Sequence, residues 1–173
     1  MKCTNLLIQD HKIILRALEV LQAMAEQTEK GEAVGAEDVG TLLRFLRAFA
    51  DDHHQGREES ALFPELLRTC AIDYPSVRQM VFEHNQERSL VEGLQDALHT
   101  KKGLEFVYFA TRLIDFLSSH IEKEEDVMFV IAERWLSVDQ DERITSELAK
   151  FQVNPELLAD LRRLESTYLR PAA

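Results

Sequence analysis

With 173 residues, 45% of them apolar and 29% charged, the chain is long enough to bury one sizeable core, and a single domain is the default. Its formal charge of −11 would repel nucleic acid and anionic lipid, and no stretch rich in Lys and Arg offsets it, so neither is an expected partner. No apolar run is long enough to span a bilayer or act as a secretory signal, and Cys3 and Cys70 follow no CxxC spacing, which makes a reducing cytoplasm the simplest compartment.

Only four Pro and six Gly interrupt a sequence rich in Leu, Ala, Glu and Arg, a composition that favours helix over sheet. Apolar residues recur at helical spacing in four long segments. The first runs from about Asn5 to Glu29, with Leu7, Ile14, Leu18, Leu21 and Ala25 on one stripe, and stops at Lys30-Gly31. The second spans about Ala36 to Thr69, with Leu43, Leu46, Ala50 and Ala61 inward. Tyr74-Pro75-Ser76 fits a helix start, and the third segment continues to about His99 with Val77, Met80, Val91 and Leu98 inward. After a break at Lys101-Lys102-Gly103, the fourth carries Phe106, Phe109, Leu113, Phe116, Val127 and Ile131 from about Leu104 to Leu136.

Four such segments joined by short turns predict an all-α fold, an antiparallel up-down-up-down four-helix bundle over residues 1–136. Ser137-Val138-Asp139-Gln140 has capping-box spacing, and Asn154-Pro155-Glu156 reads as a cap followed by Pro at the first helical position. Residues 137–173 are therefore expected to form one or two short helices. Their Ile144, Leu148, Leu157, Leu161 and Leu164 suit a face of the bundle better than the interface of a homodimer.

One segment repeats: His54-Gln-Gly-Arg-Glu58-Glu59-Ser-Ala-Leu62-Phe63 stands against His120-Ile-Glu-Lys-Glu124-Glu125-Asp-Val-Met128-Phe129. A His and a Glu four apart share one helix face, so an imidazole and a carboxylate can reach the same or adjacent metal ions. His11 and His84 sit on the inner stripes of the first and third helices, where Leu or Val would be expected.

In antiparallel helices, residues at equal distance from the connecting turn lie at equal height. The midpoint of His11 and His54 falls in the Gly31 to Gly35 break, that of Glu58 and His84 beside Cys70 to Asp73, and that of His84 and His120 at Lys101-Lys102-Gly103. All four helices thus place candidates in one layer. A lone His on an apolar stripe is usually a hydrogen-bonded core residue, but four at one level with two inward carboxylates need a shared cation to offset their burial. His53, about a quarter-turn from His54, reads as packing or as a partner to a ligand, and His99 as surface. Glu59 and Glu125 read as solvated, with Glu59 or His53 the nearer to an outer role, and Arg57 and Lys123 as surface or neutralising cations.

The ordered pattern of His11, His54-xxx-Glu58, His84 and His120-xxx-Glu124, with Asp10-His11 and Glu83-His84 beside it, resembles the hemerythrin-like family of HHE cation-binding domains, in its bacterial branch. The resemblance covers about residues 4 to 136. It implies a non-haem pair of iron ions bridged by Glu58 and Glu124, with His11, His54, His84 and His120 each a terminal ligand. Manganese or zinc would accept the same donors.

Oxygen-carrying members use two histidines one turn apart on the third helix, whereas His84 is flanked at that spacing by Met80 and Arg88. The missing nitrogen leaves positions for small exogenous molecules. The resemblance therefore implies a protein that binds or senses dioxygen, nitric oxide or iron. The alternative is an enzyme with catalase-, peroxidase- or ferroxidase-like activity on peroxide or ferrous iron. A ferritin-like centre would want Glu three residues before a His, which neither His84 nor His120 has, and HExxH is absent.

Overall fold

The computed structural model describes residues 1–69 and 75–169, and all regular structure among them is helical. Helix α1 is Lys2–Glu29. It ends in a Schellman motif: Gly31 takes φ 76°, its N–H bonds the Thr28 carbonyl, and the Glu32 N–H reaches Gln27 at 2.9 Å. The second rod, residues 36–69, begins with α2 (Ala36–Phe45), passes through π-helical turns at Leu46–Gln55 and Glu58–Leu62, and finishes as α3 (Phe63–Thr69). Cys70 and the turn expected at 70–73 lie outside the described residues.

Helix α4 is Pro75–Thr100. Its stop uses the same motif with Lys101 in the left-handed position at φ 55°, while the Lys102 N–H bonds the Ala97 carbonyl at 3.0 Å. Gly103 is not the stop but the first residue of α5 (Gly103–Lys123), which runs through a π turn at Glu124–Met128 into α6 (Phe129–Trp135). Two further helices follow, α7 (Val138–Leu148) with the Ser137–Gln140 capping box formed, and α8 (Pro155–Tyr168) with Asn154 accepting from the Glu156 N–H.

Helix α1 packs on α5 and on the second rod, and α4 packs on the same two, so the four rods enclose one axis. The approach of α4 to α5 is close at Gly93, where a Cβ would meet Phe109 Cε1 at 2.5 Å. Helix α8 lies against α1 and α2 through Leu161 and Leu164, and α7 lies against α1 and the Glu58 turn through Ile144 and Leu148.

The apolar core is divided. Ile14, Leu18, Leu21, Phe45, Phe49, Leu113 and Leu117 fill one end, and Leu7, Leu62, Phe63, Met80, Met128 and Phe129 fill the other. Between Leu7 and Ile14, Ala50 and Ala61, Met80 and Val91, and Ile121 and Met128, the interior is polar. Val127, expected inward, is exposed. The π turn through it closes i→i+5 bonds and is wider than an α turn, so Met128 follows Glu124 inward and Val127 is turned out.

Candidate metal centre

The polar layer is built from short polar segments on all four rods. The structure brings Nε2 or carboxylate atoms of His11, His54, Glu58 and Glu124 within 4.8 Å of one another, and a second group of His84, His120 and Glu124 within the same span. None of the six is more than 3% exposed. Glu124 belongs to both groups. The first π turn contains His54 just before its end at Gln55, and the other two start at Glu58 and Glu124, a local widening common where helices carry function.

Each imidazole is oriented by a carboxylate on its outer nitrogen. His11 Nδ1 meets Glu125 at 2.8 Å, His84 Nδ1 meets Glu59 at 2.7 Å, His120 Nδ1 meets Glu83 at 2.8 Å, and His54 Nδ1 lies 3.5 Å from Asp10. With Nδ1–H donating to the acid, the Nε2 lone pair faces the interior, the tautomer that metal ligation needs. The outer acids are themselves held by cations, Asp10 by Arg57 at 2.6 Å and Glu83 by Lys123.

The centre has an approximate twofold plan. Residues 10–11 with 54–63 repeat as residues 83–84 with 120–129, with Glu59 of the first half serving His84 of the second and Glu125 of the second serving His11 of the first. The rings repeat it too: His11 stacks on Phe129 at 5.5 Å and His84 on Phe63 at 5.8 Å. His11 and His54 meet edge-on at 4.6 Å between ring centroids, His84 and His120 at 5.0 Å.

Among the surrounding residues some expectations change and others are met. Glu125, read as solvated, is only partly exposed and binds His11, while Glu59 takes the outer role left open to it and binds His84. Of the two roles open to Arg57 it takes the neutralising one, buried on Asp10. His53 is buried between Arg57, at 3.0 Å, and the Phe49 ring. His99 ends α4 exposed, beside Gln95. Neither neighbour of His84 supplies a second nitrogen, since Met80 is in the apolar core and Arg88 bonds Asp51 and Glu59.

The inward atoms fit a cation and little else. Both Glu58 oxygens, one Glu124 oxygen and Nε2 of His84 and His120 are buried without a hydrogen-bond partner, a costly arrangement without positive charge among them. His11 Nε2 and His54 Nε2 face each other at 3.0 Å, where two lone pairs require a shared proton or ion. Burial, and then the Glu124 charge, push the Glu58 carboxyl well above the usual carboxylate range. Burial drives His54 down to about 4 despite Asp10. Burial also opposes charge on His120, but the adjacent Glu124 outweighs it and raises the imidazole to about 9. Protons thus hold places that a metal ion would take.

The family model of the hemerythrin HHE cation binding domain matches residues 4–132. The chain belongs to the hemerythrin family. No curated protein and no solved structure matches it. Membership in a cation-binding family and the buried His/Glu set together point to a bound metal ion, and mixed imidazole and carboxylate donors suit iron. Among the described residues, no helix of this hemerythrin domain is long and apolar enough to cross a membrane.

If the outer carboxylates set the donor tautomers, Glu125→Ala should weaken metal binding about 10- to 100-fold while His99→Ala leaves it unchanged, as read by chelator competition. Equal affinities for the two variants would remove Glu125 from the centre.

Proposed function

We propose that this hemerythrin domain holds two iron ions in an antiparallel four-helix bundle and uses them to bind or sense dioxygen, nitric oxide or iron itself. In this reading His11 and His54 serve one ion and His84 and His120 the other, with Glu58 and Glu124 between them. The observation that carries it is the set of buried inward atoms of Glu58, Glu124, His84 and His120 that make no hydrogen bond, His120 Nε2 and Glu124 facing each other at 3.1 Å. When bound, such an iron pair supplies a Lewis-acidic, redox-active centre for small ligands.

The chain's own residues do the rest. Asp10, Glu59, Glu83 and Glu125 hold the imidazole protons at Nδ1 and aim Nε2 inward. Phe63 and Phe129 cover His84 and His11 on the side of the second apolar cluster and keep water away. Four imidazoles and two carboxylates leave positions open on two ions, which suits an exchangeable ligand such as dioxygen, nitric oxide or peroxide. The buried free thiol of Cys3 suits a reducing cytoplasm.

Protein from iron-replete cells should carry two metal ions per chain, as expected of a dinuclear carboxylate-bridged bundle, and its visible spectrum should change on adding nitric oxide or azide. A stoichiometry of one or none after loading sinks the dinuclear centre, and a loaded chain indifferent to both ligands sinks exogenous ligand binding.

A further inference from the structure

The two halves of the centre are not equivalent one turn beyond the histidines. In the first half that position on α1 is Ile14, and the residue following His120 is Ile121, both buried in the apolar core. The matching positions are Glu87, three residues beyond His84, and Gln55, following His54. Both are buried, Glu87 at 2% and Gln55 at 1% exposure, and the Gln55 amide donates to the Glu87 carboxylate. Among the described residues, no cation forms an ion pair with Glu87. The other amide atom, Gln55 Oε1, is buried with no hydrogen-bond partner at all. One side of the centre is therefore closed by hydrocarbon and the other by an oxygen-rich pair with unspent acceptor capacity.

Glu87 also lines a cavity of about 380 Å³ between α4 and the second rod, together with Asp51, Asp52, Glu92, Arg47 and Arg88. Asp52 and Glu92 are exposed on its rim. Arg88 is engaged by Asp51 at 2.8 Å and by Glu59 at 3.1 Å, so four carboxylates face two guanidinium groups, one of them already committed. The six candidate ligands themselves are sealed from solvent. We propose that this groove is the path by which a divalent metal cation enters and leaves the centre, with Glu87 and Gln55 Oε1 as a transient oxygen site between the rim and His54 and His84.

The inference rests on the metal-centre reading above. Exposed acids at the rim attract a cation and raise its local concentration. The buried carboxyl then accepts it, and the proton it held passes out through the groove, so the site gains one net positive charge rather than two. Burial pushes Glu87 up to about 7, against the pull of the His120 and His84 charges and of the Gln55 bond, so near neutrality the group can hold either a proton or a cation. A relay must bind briefly. A neutral amide and a single carboxylate make a weaker site than three or four donors at the centre, and this ordering drives the ion inward.

The test uses the full chain, with Co(II) uptake by the metal-free protein and Co(II) release from the loaded protein to excess EDTA, both followed by absorbance. Glu87→Gln keeps shape and volume and is expected to slow uptake and release alike, by about tenfold, leaving final stoichiometry and affinity as in the wild type. Release is read on loaded protein and does not depend on the metal-free chain staying folded. The exposed pair Asp52→Asn/Glu92→Gln, which no core packing constrains, should slow uptake at low ionic strength and match the wild type at high salt.

Unchanged rates in both variants would overturn the path. Slow uptake with accelerated release and fewer bound ions would also overturn it, because Glu87 would then be a ligand of the centre. A wild-type chain that binds no metal would overturn the centre itself, whereas wild-type loading of two ions at rates indifferent to Glu87 would remove only the route.

Discussion

Glu124→Ala is expected to empty the centre, whereas Glu58→Ala should leave one ion bound. The two carboxylates occupy matching places in the repeat, but the structure does not use them equally. Glu124 lies 3.1 Å from His11 Nε2 and 3.1 Å from His120 Nε2, and it is common to both groups of potential donors. Glu58 approaches His54 and His84 only at 3.7 and 3.6 Å, and belongs to the first group alone. Removing Glu124 leaves two nitrogens on one side and, on the other, His11, His54 and a Glu58 carboxyl that burial favours in its neutral form. Removing Glu58 leaves His84, His120 and Glu124 intact.

Metal analysis after loading and desalting reads the difference directly. The expected contents are two ions in the wild type, one in Glu58→Ala and none in Glu124→Ala. Equal losses in the two variants would show that the centre uses its halves symmetrically, and full retention in Glu124→Ala would remove it from the ligand set.

Much of this arrangement is legible in the sequence. The helix bounds followed from apolar spacing and from stops at Gly31 and the 101–103 break, and the short C-terminal helices from the Ser137 and Asn154 caps. The His54 and His120 repeat, with the level argument for His11 and His84, named the six residues that the structure brings together. What stayed hidden depends on geometry between helices rather than along one. Asp10, Glu59, Glu83 and Glu125 were in plain sight, each one residue from an inner-face His or Glu. A single residue step turns a side chain about 100° around the helix, which takes it off the inner face and toward a neighbouring rod that periodicity does not identify.

For the same reason the sequence leaves Arg57 between a surface and a neutralising role, since its partner Asp10 is on another helix. Val127 failed because apolar periodicity does not encode the π turn at Glu124. Glu87 carried no signal, because a glutamate on a long helix is ordinarily a solvated face; only the Ile14 and Ile121 counterparts mark it as unusual, and that comparison requires the pseudo-twofold plan.

The gap in thermal stability between the metal-loaded and metal-free protein is expected to widen as pH rises from 6.5 to about 9. In the metal-free chain His120 has a folded value of about 9 against an ordinary 6.5. A raised value means stability that is fully present below 6.5 and is lost as pH rises through 9. The shift corresponds to about 3 kcal/mol, or roughly 10 °C in a chain of this size. Glu87, raised from 4.5 to about 7, acts in the same direction over the lower part of that range.

His54 runs the other way. Its folded value is depressed to about 4, so its contribution is complete above 6.5 and falls only on acidification, and it cannot compensate at high pH. In the loaded protein the same donors are held deprotonated by the ion, and affinity rises with pH as protons cease to compete. Calorimetry on Zn(II)-loaded and metal-free protein across this range reads both curves. A gap that stays flat or narrows would mean that His120 holds no extra proton in the metal-free fold, and with it would go the picture of protons standing in for the metal.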